Sequence, residues 1–396
     1  MTTTFSRAGA LSAVALLAAL AAQPVSAQDT PATPPGQTAA PAAPATPDSP
    51  APASEPAPAI PSTAPSAPAT TGAPAPTAEP TGSAAADDAA NAPLPPEKPI
   101  PLVSDQPVWN TFQGQLNSQK YSPLNQITAD NVGKLQKAWD FHTGDLSDGT
   151  GDLPATVWSA TPVFANDTLY IGTPFYRVIA LDPGTGEVKW TFDSKSTLEA
   201  MTQPALKNRG VSYWEAENPV EGELCQKIIY LGTMDAQLFA MDADSGELCP
   251  KFGKGGVLNV NDWNSVNAKY PLSLLQPPTV VGNHVIMGWA GKDWAYEAAP
   301  PGTVFSVDPQ TAELQWEFQA IPAEVREQTG TANVWTGMSA DEGLGLLYMP
   351  VSSPSPNYWG GNRTAPIPLA TSTTAVDLET GKVVWSRQWV HHDIWD

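Results

Sequence analysis

From residue 109 onward, short runs of alternating apolar and polar residues are separated by tight turn signals. Each run leads to an aspartate, a turn rich in Thr, Ser and Gly follows, and a second run ends in an aromatic residue. The pattern occurs four times, as VIALDPGTGEVKW (178–190), LFAMDADSGELCPKF (238–252), VFSVDPQTAELQW (304–316) and TAVDLETGKVVW (374–385). Alternation with period two predicts half-buried strands, and the turn between them predicts a hairpin held by the aspartate side chain.

The repeat leaves room for two further strands in each unit. The aspartates that end the first runs are 60, 66 and 69 residues apart, and they are Asp182, Asp242, Asp308 and Asp377. Runs such as TLYIGT (168–173) and KIIYLGT (227–233) precede the first two hairpins. Four strands per unit, arranged radially, predict an all-β fold, a β-propeller of four-stranded blades. We expect Trp139, Trp190, Trp316 and Trp385 to pack between neighbouring blades.

The number of units is small for a closed ring. Residues 101–396 hold four to five of them, whereas a propeller of large blades usually needs more. The sequence therefore predicts a partial β-propeller domain over 101–396, from a truncated reading frame whose closing blades are missing. A smaller closed ring is the alternative.

The first 27 residues resemble an export signal. Arg7 supplies the positive charge, residues 8–22 form an apolar run, and Val25-Ser26-Ala27 is a cleavage site of small residues. The run is shorter than the roughly 20 residues needed to span a bilayer, so we prefer a cleaved signal peptide to a membrane anchor. We predict export to the periplasm, no transmembrane helix in the mature chain, and membrane association only through a partner.

Composition separates the next stretch, residues 28–100, from the rest. It consists largely of Ala, Pro, Thr and Ser, while all 14 Trp lie from Trp109 onward. Such a stretch cannot bury enough apolar surface to fold, so we predict a disordered Pro/Ala-rich linker rather than a ligand for a Pro-binding domain. The formal net charge of −21 argues against nucleic-acid binding.

The two cysteines, Cys225 and Cys249, both lie in the predicted exported domain. An oxidising compartment favours a disulfide between them, and two unpaired structural thiols are the alternative. Two Cys without a nearby His make a metal site improbable.

Several segments resemble the quinoprotein dehydrogenases, over almost the whole of 105–396. They are WNTFQGQLNSQKYSPLNQITADNVGKLQKAWDFHTGD (109–145), NRGVSYWE (208–215), YWGGNRT (358–364) and HHDIWD (391–396). The resemblance is to the membrane-bound glucose, quinate and polyol branch. It implies an eight-bladed propeller, about half of it present here, with pyrroloquinoline quinone (PQQ) and Ca²⁺ as cofactors. It also implies oxidation of a sugar, polyol or cyclic hydroxy acid.

The resemblance assigns cofactor-binding roles to four residues. Trp335 matches the aromatic floor under the cofactor ring, and Arg209 matches an arginine at the quinone oxygens; Asn333 and Thr336 flank the tryptophan and are expected to bond the cofactor. Trp335 and Arg209 also have explanations that involve no cofactor. Trp335 would otherwise be a core residue, and Arg209 a member of a surface ion pair.

The resemblance also assigns the catalytic and metal roles. Asp396 matches the catalytic base and a metal ligand, and Asp293 and Ser353 fall at metal-coordinating positions. Without the resemblance, Asp396 would be read as an acidic loop residue. His391 and His392 are expected to be structural, because adjacent residues on a strand point to opposite faces.

Three residues depart from the family pattern. Phe175 stands where the glucose-type enzymes carry His, Trp294 where an Asn follows the metal-binding Asp, and Phe305 where an Arg is usual. These residues support an alternative hypothesis, a non-catalytic propeller that serves as a binding scaffold at the cell envelope. For an enzyme, a signal peptide and linker in place of membrane helices imply a respiratory quinone or a separate subunit as electron acceptor.

Overall fold

A computed structural model describes residues 109–122, 124–201, 204–266, 270–291 and 299–395. The predicted signal peptide (1–27) and linker (28–100) lie outside these residues. No helix among the described residues is both long and apolar enough to cross a membrane. The helical elements that are described are short 3₁₀ turns, at Val132–Lys134, Leu198–Ala200, Val260–Trp263 and Ala323–Val325.

Four four-stranded antiparallel sheets form the blades of the described part. Blade 1 consists of β2–β5, blade 2 of β7–β10, blade 3 of β11–β14, and blade 4 of β16, β17, β19 and β20. Two small sheets lie outside the blades: β1–β6 pairs the segment before blade 1 with the connection from blade 1 to blade 2, and β15–β18 pairs the connection from blade 3 to blade 4 with the connection between β17 and β19. The strands are β1 (Thr156–Thr161), β2 (Val163–Ala165), β3 (Thr168–Gly172), β4 (Arg177–Leu181), β5 (Val188–Asp193), β6 (Leu206–Gly210), β7 (Ser212–Glu215), β8 (Lys227–Gly232), β9 (Gln237–Asp242), β10 (Val257–Asn259), β11 (Thr279–Val281), β12 (His284–Met287), β13 (Thr303–Val307), β14 (Leu314–Gln319), β15 (Gly330–Thr331), β16 (Ser339–Asp341), β17 (Leu346–Val351), β18 (Pro354–Ser355), β19 (Ser372–Asp377) and β20 (Val383–Gln388).

The repeated aspartates hold the turns, as predicted from the sequence. Asp182 Oδ1 accepts hydrogen bonds from the backbone N–H groups of Gly184 at 2.9 Å and Thr185 at 2.8 Å. Equivalent bonds reach Asp242, Asp308 and Asp377. The turn therefore satisfies its own backbone donors, and the hairpin register is fixed locally.

Three of the predicted tryptophans pack against the turn of the next blade. Trp190 Nε1 of blade 1 donates to Ala243 O at 2.9 Å, and Trp316 Nε1 of blade 3 donates to Leu378 O at 2.8 Å. Trp139 makes the same contact with the turn of blade 1, through Pro183 O at 3.1 Å. The prediction that these residues pack between blades is confirmed for Trp190 and Trp316, whereas Trp139 packs on the turn of blade 1 from a segment without strands.

The second repeat departs from the predicted hairpin. After the turn, the arm that was expected to end at Phe252 forms only an isolated bridge, from Leu248 to Met241, and β10 pairs with β9 instead. The backbone pairing of this arm ends at Cys249, whose N donates to Ala240 O at 2.9 Å and whose side chain is joined to Cys225 by a disulfide. Pro250 follows and has no N–H with which to continue the ladder. Phe252 is fully buried in the adjoining core.

The first strands of all four blades face residues 109–120, named here the axial segment. The backbone of Trp109 bridges to Phe164 in β2, and Leu116 O accepts from Ala340 N in β16 at 3.0 Å. Between these points, the segment lines a small cavity with Ser212 of β7 and Thr279 of β11. The four first strands thus surround one centre, as in a propeller.

Because neighbouring strands of a blade run in opposite directions, the connections between strands lie at two opposite ends of the blades. The aspartate turns lie at one end of the blades. At the other end lie the second-to-third strand connections and the connections between blades, which carry the small sheets β1–β6 and β15–β18. The candidate residues Arg209, Trp335 and Ser353 all belong to this second end, named here the site end.

Candidate functional site

Hydrogen bonds join two loops of the site end, residues 330–336 and 351–355, and Asn333 makes several of these bonds. The pairing of β15 with β18 continues in two backbone bonds, from Ala332 N to Ser353 O at 3.0 Å and from Ser352 N to Asn333 O at 2.9 Å. The Asn333 side chain donates to Trp289 O at 2.6 Å and accepts from Ser352 Oγ at 2.5 Å. These bonds hold the backbone from which Trp335 projects.

Close backbone packing supports the same loop from beneath. A Cβ added to Gly288 would lie 1.9 Å from Val334 O, so only glycine permits this approach. A side chain at 288 would push Val334, and with it the neighbouring Trp335, away from blade 3.

Trp335 and Arg209, predicted from distant parts of the sequence, come together. Trp335 is 41% exposed, although the chain around it is buried, so its ring forms an accessible platform. The Arg209 guanidinium carbon lies over this ring, 5.1 Å from the centroid. Burial lowers the pKa of Arg209, and the guanidinium stays charged.

Gln276 completes this group and was not predicted from the sequence. Its Oε1 accepts a hydrogen bond from Arg209 Nη1 at 3.2 Å. A single glutamine before two prolines carries no sequence signal, and only the fold places it beside the arginine. Gln113 of the axial segment lies close to Gly337, and its Oε1 is buried with no hydrogen-bond partner in the described protein. The amide groups of Gln276 and Gln113 therefore make the axis of the propeller polar beside Trp335.

The remaining predicted residues divide into two groups. Thr336 is half-buried beside Trp335. Ser353 is buried, and its backbone carbonyl accepts hydrogen bonds from Ala332 N and Thr331 Oγ1. Asp293 and Asp396, together with the departing residue Trp294, lie outside the described residues. Within the described ranges, no group of three His, Cys, Asp or Glu could hold a metal ion.

The structure places Phe305 away from the centre. It lies on β13, the third strand of blade 3, is 3% exposed, and its ring packs against Trp263 at a centroid distance of 5.0 Å. Phe305 therefore belongs to the core between blades 2 and 3. Phe175 is half-buried in the turn between β3 and β4 at the site end.

The histidines of the last segment do not form a site with each other. His391 and His392 are both exposed, and Asp393 between them and the chain end is buried. Gly360 lies directly against the His392 ring, so the second histidine packs on the loop of blade 4.

The propeller, with Trp335 and Arg209 together at its site end, can now be compared with known protein families. Residues 109–396 match the PQQ family model described as "Glucose/ethanol/alcohol dehydrogenase, beta-propeller domain". The chain belongs to this family.

Two dehydrogenases of this family are similar to the chain in sequence. The chain is 35% identical over 325 residues to the quinoprotein glucose dehydrogenase of Escherichia coli K12, covering 77% of this chain and 40% of that enzyme. It is 30% identical over 327 residues to the quinate/shikimate dehydrogenase (quinone) of Acinetobacter baylyi, covering 76% and 40%.

Solved structures agree with the fold. The quinohemoprotein alcohol dehydrogenase ADHIIG of Pseudomonas putida HK5 superposes with a TM-score of 0.59 at 26% identity. The match covers 73% of this chain and 41% of that protein. The chain thus spans about two fifths of the length of the relatives it matches.

The platform suits the cofactor of this family. PQQ is a planar aromatic with carboxylate and quinone oxygens, and these features need a ring to stack on and a cation to pair with. Trp335 supplies the exposed ring, and Arg209 supplies the fixed cation. The described residues therefore fit PQQ, whereas Ca²⁺ stays a prediction because two of its three expected ligands lie outside them.

Proposed function

We propose that this chain supplies cofactor-binding residues of a PQQ-dependent dehydrogenase that oxidises a sugar, polyol or cyclic hydroxy acid. The observation that carries the proposal is the placement of Arg209 over Trp335 at the site end. Family membership supports the reaction class, because the glucose and quinate enzymes named above oxidise hydroxyl groups of such compounds.

In this proposal the protein binds and orients the cofactor. Trp335 would support the planar cofactor, and the hydrogen bonds of Asn333 to Trp289 and Ser352 hold the backbone from which the indole projects. Gln276 holds the Arg209 guanidinium, which pairs with the oxygens at the cofactor edge. Bound PQQ supplies the acceptor for the hydride removed from the substrate carbon.

The chain also has to remove a proton from the substrate hydroxyl. We assign this step to the Asp396 carboxylate, which acts as a general base. Ca²⁺ would be held by hard oxygen ligands from Asp293, Ser353 and Asp396. The half-buried Phe175 makes the approach to the platform more apolar than a histidine would, so glucose is one candidate substrate among several.

The cellular setting belongs to the same proposal. We place the protein in the periplasm, exported by residues 1–27, with residues 28–100 as a tether. Electrons would leave to a respiratory quinone or to a separate acceptor subunit. The scaffold hypothesis loses one of its three arguments, since Phe305 lies in the blade core.

Cofactor reconstitution tests the proposal. The full-length gene product, purified without its first 27 residues, is mixed with PQQ and Ca²⁺ and passed through gel filtration. Quinone absorbance retained with the protein reports binding, and dye reduction with sugars, polyols and quinate reports turnover.

We expect retained PQQ, reduction of dye with at least one substrate class, and loss of turnover without loss of binding in Asp396→Asn. A protein that retains no PQQ at micromolar concentrations would favour the scaffold hypothesis.

A further inference from the structure

The axial segment buries polar side-chain atoms that make no hydrogen bond to the described protein. They are Thr111 Oγ1, Gln113 Oε1 and Gln115 Nε2. Six buried side-chain atoms of the described residues lack a partner, and three of them lie within residues 111–115. A buried polar group without a hydrogen bond is unfavourable, so a cluster of such groups needs an explanation.

All three side chains line one cavity, named here the axial cavity. It lies between the axial segment, β7 of blade 2 and β11 of blade 3, and its wall includes Gln276 and Gly337. The cavity offers about 30 Å³ to the centres of water-sized molecules. One water molecule needs about 10 to 15 Å³ of such space, so the axial cavity has room for about two.

The chemistry of the unpartnered atoms selects the ligand. A cation would be attracted to Gln113 Oε1 but repelled by the N–H groups of Gln115, and an anion would meet the opposite arrangement. Water donates and accepts, so it can bond to a carbonyl, a hydroxyl and an amide N–H at once. Buried waters make about three hydrogen bonds each, and this wall supplies that number.

Gln276 links the axial cavity to the platform. Its Oε1 accepts from Arg209 Nη1 at 3.2 Å, and its Nε2 lies 3.7 Å from the position that a Cβ on Gly337 would occupy. Gln113 Nε2 lies 3.5 Å from the same position. The side-chain amides of the two glutamines are therefore close together, and both border the axial cavity.

The orientation of the Gln276 amide decides how Arg209 is held. With its oxygen towards the guanidinium, the amide accepts a hydrogen bond, whereas the reversed amide would present two N–H groups to a cation. A group that accepts from Gln276 Nε2 therefore fixes the orientation seen here. Water in the axial cavity can be that group, because it accepts from Gln276 while it donates to Gln113 Oε1.

From these observations we infer that the axial cavity is an internal hydration site, and that Gln113 acts through its water and Gln276 as a positioning residue for Arg209. The positioning role rests on the function proposed above, whereas the hydration site concerns the protein without cofactor. Neither the resemblance nor the sequence assigned these glutamines a role. Gln113 acts through neighbouring groups and is not itself a cofactor ligand.

The experiment compares Gln113→Met with Gln388→Met, each in the full-length gene product and again in its Arg209→Ala variant. Methionine fills a similar volume and carries neither the amide oxygen nor the NH₂ group. Gln388, on the fourth strand of blade 4, donates to Ile367 O at 2.9 Å and Ala370 O at 3.0 Å, so the control removes amide bonds outside the platform group. Ordered water in a crystal structure without cofactor, the urea midpoint without cofactor, and the Kd for PQQ are measured.

In the crystal, we expect water within about 3.2 Å of the three unpartnered atoms. Gln113→Met should lower the urea midpoint, because the water loses an acceptor; in a dry cavity the same change would raise it by removing a buried unsatisfied oxygen. Gln388→Met should also lower the midpoint.

The Kd for PQQ separates a positioning role from a general loss of stability. Gln113→Met should weaken PQQ binding about 3- to 10-fold in the parent protein, the effect of one lost hydrogen bond. In the Arg209→Ala variant it should change the Kd by less than about twofold, because the residue through which it acts is gone. Gln388→Met should leave the Kd unchanged in both.

Two results would overturn the inference while the proposed function stands. One is a dry axial cavity together with a raised midpoint in Gln113→Met. The other is equal weakening of PQQ binding with and without Arg209. A parent protein that binds no PQQ refutes the proposed function itself, and the positioning role falls with it. If Gln113→Met does not fold, Gly337→Ala makes the same comparison, since its Cβ fits 3.5 to 3.8 Å from its neighbours and takes up space beside both glutamines.

Discussion

The indole of Trp190 packs directly on Gly246, so closely that a Cβ added to the glycine would lie 2.7 Å from the ring. The same relationship joins Trp139 to Gly186 and Trp316 to Gly381. The remaining turn, in blade 3, carries Ala312 instead, with a φ of +64°. Trp214 of the preceding blade contacts a different turn of blade 3, where its Nε1 donates to Gly282 O at 3.0 Å. The glycine is thus required where an indole lies across the turn.

The first prediction concerns this contact. Gly246→Ala should lower the free energy of unfolding by about 2 to 4 kcal/mol, because the new methyl group meets the indole and alanine is strained at a φ of +76°. Urea denaturation followed by tryptophan fluorescence measures the change. Ala312→Gly is the matched control and should shift the free energy by less than about 1 kcal/mol, since relief of strain offsets lost burial. Equal losses in both variants would contradict the role of the indole.

The second prediction concerns the disulfide between Cys225 and Cys249. It closes a sequence separation of 24 residues in blade 2. Replacing both cysteines with serine should lower the free energy of unfolding by about 3 kcal/mol, chiefly through the greater freedom of the unfolded chain. Reduction of the parent protein should move its urea midpoint to that of the double variant. A midpoint insensitive to reductant would contradict this role.

The third prediction concerns cofactor affinity. Arg209→Ala should weaken PQQ binding about 10- to 100-fold, the range expected when a hydrogen bond to a charged group is lost. Arg209→Lys should lie between the parent and the alanine variant, because an ammonium cannot reproduce the planar fork. Titration of the absorbance of bound PQQ gives the Kd values. Arg387, whose guanidinium lies 6.0 Å from the Trp389 ring outside the platform, offers the control, and Arg387→Ala should leave the Kd unchanged.

The fourth prediction concerns pH. Hydrogen bonds from the backbone N–H and hydroxyl of Thr185 lower the pKa of Asp182 below 3.8 in the folded protein. The ionised carboxylate therefore stabilises the fold above about pH 4, and this contribution is lost as the pH falls through the lowered pKa. Asp182→Asn should be less stable than the parent at pH 7, and the difference should shrink towards pH 3. Urea midpoints at both pH values measure it, and a pH-independent difference would contradict the explanation.

Local patterns were sufficient to predict the blades. The aspartate turns and the alternating runs lie within about fifteen residues, so the sequence reports them directly. The prediction for the second repeat was wrong only beyond Cys249, because Pro250 ends the pairing of a run whose apolar pattern still looks like a strand. Pairing of β9 with β10 depends on a later segment that carries no repeat signature.

The site was less accessible to sequence reasoning. Arg209 and Trp335 were found through resemblance, and nothing in their spacing predicts that they meet. Gln276 and Gln113 were missed, because each acquires its neighbours only when distant segments of the chain converge at the site end. Phe305 was noted only as a departure from the family pattern, and the fold places it in the core beside Trp263, because alternation tells which face a strand residue lies on but not which strand is innermost.

The axial segment has a consequence for how this chain unfolds. The tryptophan contacts join only blades that follow one another, and by themselves they would let the blades open one at a time, as repeats do in a linear array. The axial segment instead touches β2 at Trp109 and β16 at Leu116, and so links the first blade to the fourth. We therefore expect the four blades to unfold in one cooperative transition rather than one at a time.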